Sequence, residues 1–112
     1  MKYSTYNSRT KNTLADMPLE KNLEHMKYGV FTEIGELANA FKRNLFYGKE
    51  LDIVNVTEEI GDVLWYLSNQ CNLTNVVFQD LMLKAESTSA AYFAYHNDID
   101  TDLAIKKLSR LA

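Results

Sequence analysis

Residues 19–41 read LEKNLEHMKYGVFTEIGELANAF, and their spacing decides the fold class. Leu19, Leu23, Met26, Val30, Ile34, Leu37 and Phe41 recur at intervals of three and four, which is the period of one helix face and not the alternation of a strand. Pro18 precedes the run, and its fixed φ suits a helix start. Past the run, Asn44 to Lys49 breaks the pattern. Gly48 is the expected stop, because glycine takes a left-handed backbone without steric cost.

A second helix is predicted from Asn55, which would cap it while Glu58 closes a capping box. It runs through Ile60, Val63, Leu64, Leu67 and Cys71, with Trp65 and Tyr66 on its other faces. A helix apolar nearly all round belongs at the centre of a bundle. Asn72 to Asn75 is a polar break, with Thr74 the expected cap of a third helix. That helix places Val77, Leu81, Ala85, Thr88 and Tyr92 at helical spacing. After His96-Asn97-Asp98, Asp100 or Thr101 is expected to cap a short terminal helix carrying Ala104, Leu108 and Leu111. Strand signals are weak, since segments such as Asp52 to Val56 are too short to build a sheet. The expectation is an all-α helical bundle of four to five helices that oligomerises into a larger bundle. A single domain over residues 17–112 follows a polar N-terminal arm, residues 1–16, which is either mobile or a short helix docked on a partner subunit.

Composition narrows the function classes. The chain has 112 residues, 46% hydrophobic and 24% charged, an ordinary globular balance. Its single cysteine, Cys71, excludes an intrachain disulfide and a cysteine zinc site. Met1 to Asp16 lacks the apolar centre of a signal peptide, and no apolar run approaches the roughly 20 residues that span a bilayer. The net charge of −3 offers no general attraction to nucleic acid or anionic membrane. A cytoplasmic protein with neither partner is expected.

The distribution of charge says more than the total. Between Glu50 and Leu83 there is no Lys, Arg or His, yet there are six acids: Glu50, Asp52, Glu58, Glu59, Asp62 and Asp80. Two matched tetrapeptides carry four acids in all, Glu33-Ile34-Gly35-Glu36 and Glu59-Ile60-Gly61-Asp62. Each places two carboxylates at i,i+3, on one helix face, where like charges repel. No Lys or Arg lies three or four residues away to offset them. Four uncompensated acids on core helices need a cation from elsewhere, or they must protonate. Gly29, Gly35 and Gly61 interrupt the same helices, each at about 1 kcal/mol relative to Ala. Small residues beside the acids leave open volume between helices, the space a metal and its ligand would occupy.

Carboxylate-only ligation suits Mg²⁺, with Mn²⁺ as the alternative. A carboxylate-bridged di-iron bundle would want Glu-x-x-His, and neither His25 nor His96 has a Glu three residues before it. The competing structural reading pairs the acids with Lys42 or Lys84 from another helix.

These residues resemble a known family. The sequence is similar to the MazG-like nucleoside triphosphate pyrophosphohydrolases of the all-α NTP pyrophosphatase superfamily, whose signature is Glu-x-x-Glu, a spacer, then Glu-x-x-Asp. Glu33-x-x-Glu36 and Glu59-x-x-Asp62 fit it with 22 residues between. The flanks Phe46-Tyr47-Gly48-Lys49-Glu50-Leu51-Asp52 and Glu58-Glu59-Ile60-Gly61-Asp62-Val63-Leu64-Trp65-Tyr66-Leu67 are also family-like. The resemblance spans residues 19–86.

It implies that Glu33, Glu36, Glu59 and Asp62 form the catalytic site and hold Mg²⁺. A nucleoside triphosphate is the implied substrate, split to monophosphate and pyrophosphate for nucleotide-pool sanitation or adjustment. Lys84 and Tyr66 are the further substrate-binding candidates. The sequence departs from the family on the third helix: Leu81 stands where many relatives carry Asn, and no Arg follows Lys84 at the usual place. Lys107 and Arg110 offer comparable charges nearer the end.

Two rival readings stand beside this one. One is a phosphoribosyl-ATP pyrophosphohydrolase-like enzyme. The other is a non-catalytic helical protein that binds nucleotide or a partner. A homodimer or homotetramer is expected, since so few helices leave much apolar surface to bury.

Overall fold

Each long helix forms where the period places it, and the caps explain where it ends. In the computed structural model, α1 (Tyr3–Asn12), α2 (Leu19–Tyr47), α3 (Ile53–Thr74) and α4 (Phe78–Asn97) follow in order. The structure describes residues 1–100, 102–104 and 106, and among these there is no strand. The all-α expectation holds.

Gly48 ends α2 in the left-handed region at φ +65, and the Lys49 N–H returns to the Arg43 carbonyl at 3.2 Å. The start of α3 corrects the expectation at Asn55. The cap is Asp52, whose carboxylate accepts from the Asn55 N–H at 3.0 Å. An anionic oxygen meets the positive helix end better than an amide does, so the helix begins at Ile53. Thr74 is not a cap. It closes the last turn of α3, donating its hydroxyl to the Gln70 carbonyl, while Asn75 terminates the helix at φ 58. Asp98 ends α4 in the same way. Asp100 caps as expected, accepting from the Leu103 N–H at 2.7 Å ahead of helical residues 102–104. Thr101, Lys107, Leu108, Arg110 and Leu111 lie outside the described residues.

The chain divides into two compact units, Met1–Val76 and Val77–Ala112. In the first, α3 is central and packs on both α2 and α1. Helices α2 and α3 run antiparallel, so Gly29 meets Tyr66 and Glu33 meets Glu59. The face of α2 turned inward is Asn22, Met26, Gly29 and Ala40. The predicted stripe is therefore only partly buried: Leu19, Ile34 and Phe41 are exposed, and so are Phe31 and Leu45, each at 72%. A narrow seam of small residues brings the two helices together, and the larger side chains stand outside it.

The N-terminal segment contributes α1, which rests on α3 through hydrogen bonds. Ser68 and Asn69 are fully buried. Asn7 donates to the Ser68 carbonyl and hydroxyl at 3.0 and 2.8 Å. Thr10 donates its only hydroxyl hydrogen to the Asn7 carbonyl. Ser68 must then be the donor in the 2.7 Å contact between the two hydroxyls. Asn69 donates to the Thr10 carbonyl, and Asn72 to the Asn7 carbonyl and the Asn69 side-chain oxygen. Helix α3 is thus not apolar all round; this polar side satisfies itself against α1, as buried polar groups must.

In the second unit Phe78, Ala90, Ala94 and Ala104 are buried, with Ile99 packed on the three alanines. The expected stripe of Leu81, Ala85, Thr88 and Tyr92 faces outward instead and lines an open groove with Lys84 and Ser89.

Candidate functional site

Four acids meet across the α2–α3 seam. Helix α2 presents Glu33 and Glu36, and α3 presents Glu59 and Asp62. One carboxylate oxygen each from Glu33, Glu59 and Asp62 lies within 4.8 Å of the others. Glu36 sits beside Glu59, in side-chain hydrogen-bonding range. Glu59 is the deepest, 7% exposed; Glu33 is half-buried, while Glu36 and Asp62 are open to solvent.

No cation answers this charge within the described residues. The ion pair formed there is Lys27–Glu24, at 3.1 Å on the surface of α2. Lys42, offered by the structural reading as a partner, lies 5.9 Å from the centre of the Tyr47 ring. Lys84 belongs to the second unit. The acids instead burden one another. Hydrogen bonding to Glu59, then the charge of Glu59, pushes the Glu36 carboxyl above its ordinary range. Hydrogen bonding to Glu33, then burial, does the same to Glu59. The Oε2 atoms of Glu33 and Glu59 are both buried with no hydrogen-bond partner. An ionised carboxylate oxygen left this way is costly, and there are two of them in the cluster. A hard divalent cation fits the set, which offers only oxygen donors.

Tyr66 stands beside the acids. Its hydroxyl is pushed up by burial first, then by the charges of Glu33, Asp62 and Glu36. The ring occupies the notch left by Gly29, where a Cβ would overlap Cδ1, Cε1 and Cζ. This corrects the expectation that Gly29 leaves volume for a metal: the room is taken by an aromatic ring. Gly35 and Gly61 have nothing within 4 Å of a would-be Cβ; they face outward.

Several neighbours escaped the sequence reading. His25 and Trp65 pack edge-to-face on Tyr66, with ring centres at 5.6 and 5.0 Å. His25, Gly29 and Glu33 follow at successive intervals of four, so a helical wheel carried one turn further back reaches His25. Thr13, whose hydroxyl accepts from the Trp65 indole N–H, had no such signal, because its place depends on how α1 docks.

A family model, the MazG nucleotide pyrophosphohydrolase domain, matches residues 21–89. The chain belongs to this family. The MazG match takes in both acidic pairs, Tyr66 and Lys84, and leaves α1 outside. MazG proteins are generally dependent on a divalent metal. Comparison with curated proteins and with solved structures gives no match. No helix among the described residues is long and apolar enough to cross a membrane.

Proposed function

We propose that this MazG chain hydrolyses a (deoxy)nucleoside triphosphate to the monophosphate and pyrophosphate, with Glu33, Glu36, Glu59 and Asp62 as the Mg²⁺-binding catalytic set. The pair of buried, unpartnered oxygens on Glu33 and Glu59 carries the reading. A soluble interaction protein has no use for two such oxygens, whereas a cation site needs them.

Mg²⁺, or Mn²⁺ in its place, supplies the positive charge that lets an acidic pocket accept a triphosphate and makes water a better nucleophile. Glu33, Glu36, Glu59 and Asp62 would hold the ion, and Glu36 or Glu59 takes the proton from the water. In the balanced reaction a water oxygen bonds to the α-phosphorus as the α–β bridging P–O bond breaks. The bridging oxygen leaves with pyrophosphate, and the water's proton passes to a carboxylate. Tyr66 lies against the substrate. The role is nucleotide-pool sanitation or adjustment in the cytoplasm, where free triphosphates are found.

We also infer self-association into a homodimer or homotetramer. Phe31, Ile34, Ala38, Phe41 and Leu45 on α2 are spaced by threes and fours, and Ile53, Ile60 and Leu67 on α3 by sevens; all are exposed. Two such seams on one antiparallel pair are half of a four-helix bundle. A second copy supplies the other half.

Pyrophosphate release tests the enzyme reading. A panel of canonical and modified nucleotides, phosphoribosyl-ATP included, is assayed with Mg²⁺ and with chelator. At least one nucleoside triphosphate is turned over, and Glu59→Gln lowers its rate by more than the roughly 10–100-fold typical of groups that merely support a metal ligand. Equal inactivity of the folded wild type and Glu59→Gln across the panel would sink the proposal.

A further inference from the structure

We propose that α1 is a positioning element of the nucleotide site: Thr13 holds Trp65, Trp65 steadies Tyr66, and the row His25–Tyr66–Trp65 receives the nucleobase. This rests on the nucleotide reading above and extends it to the other end of the substrate. Two observations carry it.

The first is the row itself. Tyr66 meets His25 at an interplanar angle of 80° and Trp65 at 88°. Edge-to-face packing fixes ring planes, and fixed planes are what a stacking base requires. The Gly29 notch fixes Tyr66 from the α2 side. His25 is exposed and Trp65 half-buried, so the row stays open to a ligand. It begins beside the acids, since Tyr66 lies one turn after Asp62 on α3 and packs on Gly29, one turn before Glu33 on α2. A nucleotide with its phosphates at the carboxylates therefore has its base directed along an aromatic wall.

The second is the latch. The Trp65 indole N–H donates to the Thr13 hydroxyl at 2.7 Å, and that hydroxyl donates to the Thr10 carbonyl at 2.9 Å. The same carbonyl accepts from buried Asn69. The chain of bonds runs from the indole into the polar seam, so Trp65 cannot turn without disturbing α1. Both α1 and Thr13 precede the residues 21–89 that the family model matches. Because its N–H is engaged by Thr13, Trp65 offers the base a face and no donor.

Trp65 is the only tryptophan, so its fluorescence reports directly on the row. The probe is a non-hydrolysable α,β-methylene nucleoside triphosphate with Mg²⁺, followed by Trp65 emission and by calorimetry. Inorganic tripolyphosphate, which has no base, is the comparison ligand. The nucleotide is expected to change Trp65 emission. Thr13→Val should weaken its binding roughly 3–10-fold and raise KM with little change in kcat, while Thr13→Ser restores both. Tripolyphosphate should bind wild type and Thr13→Val equally.

Calorimetric binding without a change in emission overturns the proposal. So does a Thr13→Val loss that is equal for nucleotide and tripolyphosphate, or an unchanged KM. Binding with the expected emission and Thr13 effects but no turnover sinks the hydrolase reading alone; absence of all binding sinks both. Should Thr13→Val fail to fold by circular dichroism, Trp65→Phe keeps a smaller aromatic face and loses the indole N–H, and calorimetry must then show the same nucleotide-selective loss.

Discussion

Glu59 is opposed as an ion first by Glu33, then by burial away from the water that would ease it, and last by Asp62. Two consequences follow at the scale of this residue. The Glu36 and Glu59 carboxyls are pushed above their ordinary range, so the folded chain holds protons that the unfolded chain has released. By linkage this contribution to stability is fully present below the ordinary glutamate range, about 4.3. It is lost as pH rises through the raised folded values. In chelator, thermal unfolding should therefore shift to higher temperature as pH falls from 7 toward 5, and Glu59→Gln should flatten that dependence. The same substitution should raise Tm by a few degrees in chelator at neutral pH while abolishing turnover, the trade expected where a site is held against its own repulsion. An unchanged or lower Tm would mean that the acids are compensated.

At the scale of the element, two glycines on α2 make opposite predictions. Gly29→Ala must push the Tyr66 ring from its notch and should cost about 1–3 kcal/mol. Gly35→Ala meets nothing and should add up to about 1 kcal/mol of helix stability. Urea unfolding of both variants measures the difference. Asp52→Ala should cost about 1 kcal/mol by leaving the start of α3 uncapped, whereas Asn55→Ala should cost less.

These contrasts also mark what the sequence disclosed. Period alone placed α2, α3 and α4, and the matched acids fell on facing helices. The start of α3 was misplaced by three residues because Asp52 and Asn55 are both competent caps, and the choice between them depends on charge. The inward face of α2 was misread because hydropathy favours Ile34 and Phe41, while close packing favoured Gly29 and Ala40. Thr10, Ser68 and Asn69 gave no sign of burial, since a polar residue reads as surface until its partner is known. For the same reason the Trp65–Thr13 contact, 52 residues apart along the chain, has no local signature.

At the scale of the molecule, the exposed seams on α2 and α3 make association the property to measure. Leu45 is 72% exposed, so in a monomer Leu45→Lys should change stability by no more than about 0.5 kcal/mol. In a bundle of two copies it places charge in the seam. Sedimentation equilibrium should find the wild type dimeric or larger and Leu45→Lys shifted toward monomer; identical masses would remove this face from consideration. The α1–α3 contact behaves differently from those seams under a change of temperature. It is made of hydroxyls and amides, and exposing polar surface lowers heat capacity where exposing hydrocarbon raises it. Cooling weakens apolar contacts and leaves this one largely intact. The order of loosening in hydrogen exchange should then invert across the temperature range, with α1 opening ahead of the α2–α3 pair when warm and holding relatively longer in the cold.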